Sequence, residues 1–538
     1  LMIRLLTDAV HVYMNELTHR IVAESGRPSD RFHLGKQILQ GLKDEPELIL
    51  QIDGATGAQE SSASVLRRSV RCARALRARG LRRGDVVVLM APNHLDLCIP
   101  YYAGLYLGLA IAPVDRLLTV KELQDIISID EPKIIFCQSE KTADVRTVLE
   151  TLNIDAEIIA FDKSVGKISS FEQFLQEHGN DEPVDNFKAE DFDPEDTVSL
   201  LIPTSGTTGA PKQIMCSHKN ITISGPYLFG YISNSFPKPT DMALIVSPLQ
   251  WLSACAVLNA TPILRFTRLQ SSMEYTQQHT YDLINKYKPT YMIASPTFMM
   301  TLTKPDDCDR CDFSCFRCLL MGGSAVPTDL LARLQVIKRF LYSTEATFPR
   351  EDTYIQILLH ICLQMVDPET NEDIVEPNVT AEVWVKGPTV VMGYFKNPEA
   401  TKEAFTEDGW IRTGDLFYRD DNSNFFFVER KKMLLKYRNH QVSPTELEEV
   451  IRGHPAVDDV AVGGLPDPEC GELPAACVVR RQGIAVTAQE IKDLVKETLT
   501  DSKQLRGGVI FLEELPLTSS GKINRKRIRE LIREKNRE

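Results

Sequence analysis

Residues 200–212 read Leu200-Leu201-Ile202-Pro203-Thr204-Ser205-Gly206-Thr207-Thr208-Gly209-Ala210-Pro211-Lys212. An apolar run of strand character feeds a loop of small hydroxyl residues and glycines that ends in one lysine. With no Cβ at Gly206 and Gly209, backbone N–H groups can approach an anion closely, and hydroxyls and an ammonium add further donors. The chemistry suits a polyphosphate. The order differs from the common nucleoside-triphosphate loop, in which the lysine directly follows glycine and precedes Ser or Thr. Here Pro211 precedes Lys212. A plain Ser/Thr/Gly linker is the competing reading, and the strand leading straight into the loop argues against it.

Outward from this loop, helical segments alternate with short β-branched runs: Val86–Leu89, Lys133–Phe136 and Ile158–Ala160 before it, Asp241–Val246 and Tyr291–Ala294 after it. Alternation of this kind predicts an α/β architecture with parallel-sheet layers. From about Val383 the texture changes to short alternating strands, Glu382–Val385 and Asn424–Val428, which predict a β-rich subdomain. Beyond Arg430 a small α+β module is expected, with helices near 444–453, 488–499 and 524–535. The seam at Glu429-Arg430-Lys431-Lys432 divides an expected large domain, 1–429, from a small mobile one, 430–538. Residues 1–35 are read as a candidate poorly ordered extension.

The chain has 538 residues, 43% of them hydrophobic and 25% charged, which excludes wholesale disorder and fibrous repeats. Its 61 Lys and Arg against 74 Asp and Glu leave a net charge of −13, the wrong sign for a general nucleic-acid binder. Twelve cysteines at mixed spacings fit buried thiols of a reducing compartment. The uncharged run Leu97–Val114 raises a transmembrane question, but Pro100, Gly104 and Gly108 favour a buried helix entering a strand. The carboxyl end is not the Ser-Lys-Leu peroxisomal address, so a cytoplasmic location is expected. Cys308, Cys311, Cys315 and Cys318 could supply four thiolates to Zn2+, but unpaired structural thiols are the favoured reading.

Two further segments carry chemistry. Gly409-Trp410-Ile411-Arg412-Thr413-Gly414-Asp415-Leu416 presents one carboxylate from a glycine turn, suited to accepting hydrogen bonds from both hydroxyls of a ribose. Alone, such an Asp is more often a local cap. Leu515-Pro516-Leu517-Thr518-Ser519-Ser520-Gly521-Lys522 places one lysine on a small-residue loop ahead of a basic helix. By itself that is a solvated lysine.

In this order and at these separations, the three segments resemble the adenylate-forming superfamily, in its acyl-CoA synthetase, coumarate-CoA ligase and luciferase-like branch, over residues 60–535. TSGTTGAPK is similar to the family's phosphate loop, GWIRTGDL to its ribose motif, VERKKMLLKYRNHQVSPTELEEVI to its hinge and PLTSSGKINRKRIREL to its catalytic-lysine motif. The resemblance implies an acid–thiol ligase that uses ATP, Mg2+ and coenzyme A on a fatty or aryl acid. Thr204, Ser205, Gly206, Thr207, Thr208, Gly209 and Lys212 would hold the ATP phosphates. Gly322, Gly323, Ser324, Tyr342 and Thr344 would border the adenine, with Glu345 on Mg2+. Asp415 would bind the ribose and Arg430 the ribose or α-phosphate. Lys522 would bridge the α-phosphate and the attacking carboxylate, and Lys436 and Gln441 would act in the thioester step after the small domain rotates.

The chain departs from the pattern in several places. Leu341-Tyr342 replaces the family's aromatic-Gly pair before Thr344-Glu345. No glycine occurs from Ser324 to Lys386, although the chain holds 29. Asn439 and Gln213 stand at usual glycine positions. These changes set the alternative expectation, a family member that binds nucleotide or acyl ligand without turnover. Gln250-Trp251-Leu252-Ser253 stands where luciferases carry His-His-Gly-Phe, which argues against light emission. Trp251 and Phe298 would instead wall an apolar acid pocket, against the equally weighted reading of ordinary core.

Overall fold

A computed structural model describes residues 2–204, 211–230, 241–304, 307–322, 330–334, 361–437, 440–467, 470–518 and 522–535. Its strands, in chain order, begin with β1 (Ile49–Asp53), β2 (Gln59–Ser61), β3 (Val86–Met90), β4 (Ala110–Pro113), β5 (Ile134–Cys137) and β6 (Glu157–Ala160). Next come β7 (Val198–Pro203), β8 (Gln213–Ser217), β9 (Met242–Ile245), β10 (Thr267–Gln270), β11 (Tyr291–Ala294) and β12 (Cys318–Met321). Then follow β13 (Cys362–Val366), β14 (Ala381–Lys386), β15 (Gly393–Tyr394), β16 (Ile411–Arg419) and β17 (Phe425–Arg430). The last are β18 (Leu435–Tyr437), β19 (His440–Val442), β20 (Val457–Asp467), β21 (Gly471–Arg480) and β22 (Val509–Leu512).

The chain separates into two compact units. The larger comprises the described residues through 334 together with 388–403. It holds a seven-stranded sheet in the order β15-β8-β7-β4-β3-β5-β6 and a six-stranded sheet in the order β12-β11-β9-β10-β1-β2. Strands β3 to β7 are mutually parallel, as are β1 and β9 to β12, the arrangement that helix-alternating apolar runs predict. One hydrophobic core joins the two sheets: Val87, Leu89 and Leu200 of the first meet Ala243, Ile245 and Tyr291 of the second through shared helices. Helix Cys98–Leu107 lies wholly inside this core, and chain reversal at Gly108 sends it into β4. The apolar run 97–114 is therefore core, and no described helix is long and apolar enough to cross a membrane.

Residues 2–25 form a helix rather than a loose extension. Val10, Tyr13, Met14, Leu17 and Ile21 recur at helical spacing and are buried. Tyr13 donates from its hydroxyl to the Ile263 carbonyl at 2.8 Å, and Arg20 pairs with Asp44 at 2.6 Å.

The smaller unit comprises the described residues 361–387 and 404–535. A four-stranded antiparallel sheet, β13-β14-β16-β17, accompanies a second sheet in which β18 to β21 run antiparallel and β22 adds to β21 in parallel. Helices Pro444–Arg452, Ala488–Thr498 and Arg525–Glu534 cover the second sheet where the sequence predicts them. The seam expected at Glu429–Lys432 runs inside this unit, because Glu429 at the end of β17 is bonded into the following helix. Its Oε2 accepts from Ser443 Oγ at 3.1 Å and from Thr445 N–H and Oγ1 at 3.1 and 2.7 Å.

Two buried histidines make the larger unit acid-sensitive. His33 accepts the Lys36 N–H at Nδ1 and reaches the Glu190 carbonyl at 3.0 Å through Nε2. His218 packs 5.3 Å from it, and both of its ring nitrogens lack hydrogen-bond partners. Burial lowers His33 to about 4 and holds His218 well below the usual imidazole value. The unfolded chain takes up these protons first, at a pKa of about 6.5, so stability is full above that value and is lost as pH falls below it. Thermal unfolding of the larger unit should drop by roughly 2 °C or more per pH unit between about pH 6.5 and 5. His218→Phe should flatten that slope; an unchanged slope would place acid sensitivity elsewhere.

Candidate active site

Four segments singled out in the sequence leave the larger unit's sheets at strand carboxyl ends. Thr204 follows β7, Trp251 lies in the turn after β9, Phe298 follows β11 by one helical turn and Gly322 follows β12. Carboxyl ends of parallel strands are where open α/β sheets bind ligands, because loops there are free of the sheet's hydrogen bonding. β12, β11 and β9 are sheet neighbours, so three of these segments leave one edge side by side. Gly322 N–H reaches the Ala294 carbonyl at 3.4 Å, and a Cβ built on it meets open space. Trp251 caps helix Leu252–Leu264, and Phe298 lies in the first turn of helix Pro296–Leu302; both are half-buried.

The mouth of the expected phosphate loop is closed by two hydrogen bonds. Thr204 N–H donates to the Lys212 carbonyl at 2.8 Å, and Lys212 N–H donates to Thr204 Oγ1 at 3.1 Å. β7 and β8 run antiparallel on either side, with Pro203 opposite Gln213. The Lys212 ammonium lies over the Tyr394 ring, 5.0 Å from its centroid. Ser205, Gly206, Thr207, Thr208 and Gly209 lie outside the described residues, as do Gly323, Ser324, Tyr342, Thr344 and the expected metal ligand Glu345.

In the smaller unit the structure assembles what the sequence lists separately. Asp415 on β16 and Arg430 on β17 are cross-strand partners, and Arg430 Nε lies 2.8 Å from Asp415 Oδ1. A register shift beside this pair, between Leu416 and Phe417, brings two residues of β17 past one of β16. Gly414 adopts φ +70°, a left-handed conformation that costs a side-chain-bearing residue about 1–2 kcal/mol. Its N–H donates to Glu382 Oε1 at 3.1 Å, and Asp415 N–H donates to Thr413 Oγ1 at 3.1 Å. The carboxylate is thus aimed by backbone and neighbours alike. Burial pushes the Asp415 carboxyl up, and Arg430 opposes that rise and favours the anion.

Lys522 sits in a tight hairpin. Thr518 N–H donates to the Lys522 carbonyl at 2.7 Å, Lys522 N–H to Thr518 Oγ1 at 3.3 Å, and Leu517 bridges Ile523. The side chain is exposed, yet partial desolvation and then the positive charge of Arg430 hold its ammonium below the usual lysine range. Arg430 is thus paired with Asp415 and acts on Lys522 by like-charge repulsion, which an added anion would relieve. Lys436 and Gln441 face each other across the β18–β19 ladder, and Lys436 N–H donates to Glu472 Oε2 at 3.1 Å. Gly471 permits this approach, since a Cβ there would meet the Lys436 carbonyl oxygen at 2.5 Å.

Sequence reading missed the support behind Lys522. Arg525, three residues on, pairs through both terminal nitrogens with Glu448, the second contact at 2.9 Å, and also donates to the Val462 carbonyl at 3.1 Å. Glu448 is 4% exposed and accepts the Val462 N–H at 2.6 Å. The charged pair Glu448 and Arg525, on helices flanking β20, was the available signal, but nothing in their separation of 77 residues fixes them as partners. No group of three or more His, Cys, Asp or Glu that could hold a metal occurs among the described residues, and burial pushes the Cys311 thiol up to about 12.

The AMP-binding enzyme family model matches residues 42–395, and the AMP-binding enzyme C-terminal domain matches residues 446–522. This chain belongs to the AMP-binding enzyme family. It is 31% identical over 501 residues to luciferin 4-monooxygenase of Nipponoluciola cruciata, covering 89% of this chain and 91% of that one. It is 29% identical over 514 residues to 4-coumarate-CoA ligase 1 of Narcissus pseudonarcissus, covering 92% of each. The fold matches the crystal structure of ATP-bound MatB from Rhodopseudomonas palustris, with a TM-score of 0.81, 24% identity, and coverage of 94% and 99%. The luciferase-like enzyme from the nonluminescent mealworm Zophobas morio matches with a TM-score of 0.65 and 28% identity, covering 74% of this chain and 95% of that one. An enzyme of the AMP-forming, ATP-dependent ligase class is the activity this membership supports.

Removing one partner of the Arg525–Glu448 pair leaves a buried charge uncompensated. Arg525→Met or Glu448→Leu alone should destabilise the module around Lys522 by about 3–5 kcal/mol, and the double replacement by markedly less. Denaturant unfolding of the four proteins decides it; additive losses would show that the two residues act independently.

Proposed function

We propose that this AMP-binding enzyme is a carboxylic acid–CoA ligase. Adenylation joins two anions: an acid carboxylate oxygen attacks the α-phosphorus of ATP, and pyrophosphate leaves. Charge repulsion dominates that barrier, so fixed cations are the needed catalysts, and no enzyme nucleophile is required. Asp415 accepts from the ribose hydroxyls, Arg430 keeps that carboxylate ionised and faces the α-phosphate, and Lys522 stabilises charge on the α-phosphate and the incoming carboxylate. Thr204 through Lys212 hold the outer phosphates, with the adenine beside Gly322. Mg2+ would neutralise phosphate charge, with Glu345 its proposed protein ligand. In the second half-reaction the sulfur of coenzyme A attacks the acyl carbonyl and AMP leaves, with Lys436 and Gln441 serving that step.

The observation that carries this reading is Arg430, which pairs with Asp415 at 2.8 Å and whose charge also acts on Lys522. Trp251 and Phe298 favour an acid with an apolar body, fatty or aryl. The relatives named as 4-coumarate-CoA ligases support the same class, and the replacement of the His-His-Gly-Phe segment speaks against a luciferin.

ATP–pyrophosphate exchange with a panel of fatty and aryl acids tests the proposal. Acid-dependent exchange is expected, with Lys522→Ala slowing it by about a hundredfold or more, some 2.7 kcal/mol of barrier. Nucleotide binding without exchange for any acid would replace this reading with the non-catalytic one. For the later step, Lys436→Ala should leave exchange within about twofold while lowering thioester formation by about tenfold or more. Equal losses in both half-reactions would remove Lys436 from the thioester step.

A further inference from the structure

Behind the phosphate loop lies a buried acid that the proposed chemistry does not use. Asp130 ends helix Val120–Asp130 and is fully buried. Gln213, the residue after Lys212, is 1% exposed and donates from Nε2 to both Asp130 oxygens, at 2.8 and 3.1 Å. Gln213 Oε1 is buried and has no hydrogen-bond partner. Its backbone is fixed on both sides, by Pro203 across the ladder and by the Phe395 N–H, which donates to the Gln213 carbonyl at 2.8 Å. Gln213 and Lys212 are consecutive at the start of one strand, so whatever holds Gln213 also sets the end of the loop.

We infer that Asp130 and Gln213 are positioning residues for the phosphate loop, and that loss of the Asp130 proton weakens the loop's hold on a polyphosphate. The inference rests on the proposed reading of Thr204–Lys212 as the ATP phosphate site. A protonated carboxyl can accept from Gln213 Nε2 and donate its own proton to the orphaned Oε1, giving a neutral, reciprocal acid–amide pair. A carboxylate can only accept. It leaves Oε1 unpaired and puts a negative charge in an apolar setting behind a loop that must hold the most negative part of its substrate.

The surroundings do little to neutralise that charge. The helix's own Leu123, Ile126 and Ile127 and the facing helix's Val145, Val148 and Leu149 form one apolar cluster. β8 contributes only the neutral Gln213. Among the described residues, Lys396, after β15, is the one cation acting on Asp130, and its ammonium is already paired with exposed Glu131 at 2.8 Å. Burial consequently pushes the Asp130 carboxyl up to about 7, with Gln213 and then Lys396 opposing the rise. Both protonation states are therefore populated near neutral pH.

Titration calorimetry of MgATP into the full-length protein tests this at pH 6 and pH 8, in buffers of different ionisation heat. The wild type should bind several-fold more weakly at pH 8 and take up a proton on binding there. Asp130→Asn, permanently neutral and of equal shape, should hold MgATP at both pH values with the wild type's pH 6 affinity and without that uptake. Gln213→Met removes the amide bonded to Asp130 and should displace the wild-type inflection. A merely structural contact would not shift an inflection. Identical pH dependence in wild type and Asp130→Asn overturns the inference. Failure of the wild type to bind MgATP at either pH overturns the proposed function instead, and the loop's role with it.

Unfolding provides a measurement free of nucleotide. The folded acid keeps a proton that the unfolded chain releases at a pKa of about 3.9, so wild-type stability should fall, relative to Asp130→Asn, as pH rises from about 4 towards 7. Parallel stability curves would show that Asp130 does not titrate in that window.

Discussion

Two hydrogen bonds between Thr204 and Lys212 close the neck of the segment proposed to hold the ATP phosphates. A glycine-rich segment gains its use from backbone freedom and would lose it if its ends wandered. Here one end continues β7, which pairs in parallel with β4, and the other opens β8, which turns back antiparallel. The segment is therefore mounted on a switch of strand direction inside a sheet whose central strands β3, β4 and β5 are fully buried. Fixed flanks are what the proposed anion cradle requires.

The smaller unit solves a related electrostatic problem by sheet register. Cross-strand pairing sets Arg430 opposite Asp415, and the Arg430 charge in turn reaches Lys522 from a separate hairpin. Each residue alone has a bland interpretation: a turn Asp, an exposed Arg, a solvated Lys. Their shared field gives them a joint meaning, because the carboxylate needs a cation to stay ionised in its partly buried setting while the two cations repel and await an anion.

Much of this was legible in the amino-acid order. Apolar runs of four or five residues such as Val86–Met90 and Ile134–Cys137 became parallel strands because helices bury both of their faces, and the three terminal helices fall within a residue or two of their expected bounds. Long-range pairing was not legible. Gln213 announced itself as a missing glycine, but its partner lies 83 residues earlier. The amino-terminal segment, expected only as a candidate poorly ordered extension, is a helix with a buried stripe that begins at Val10. Likewise the β-rich strands were assigned to the large domain because their texture changes at Arg430, whereas Glu429 ties them to the helix that follows.

That tie has a mechanical consequence. Glu429 is 5% exposed and takes three donors from Ser443 and Thr445, across residues 430–442. Turning the chain at 430–432 would have to break these three hydrogen bonds and leave a buried carboxylate without donors, so one side chain fixes the direction in which the chain leaves β17.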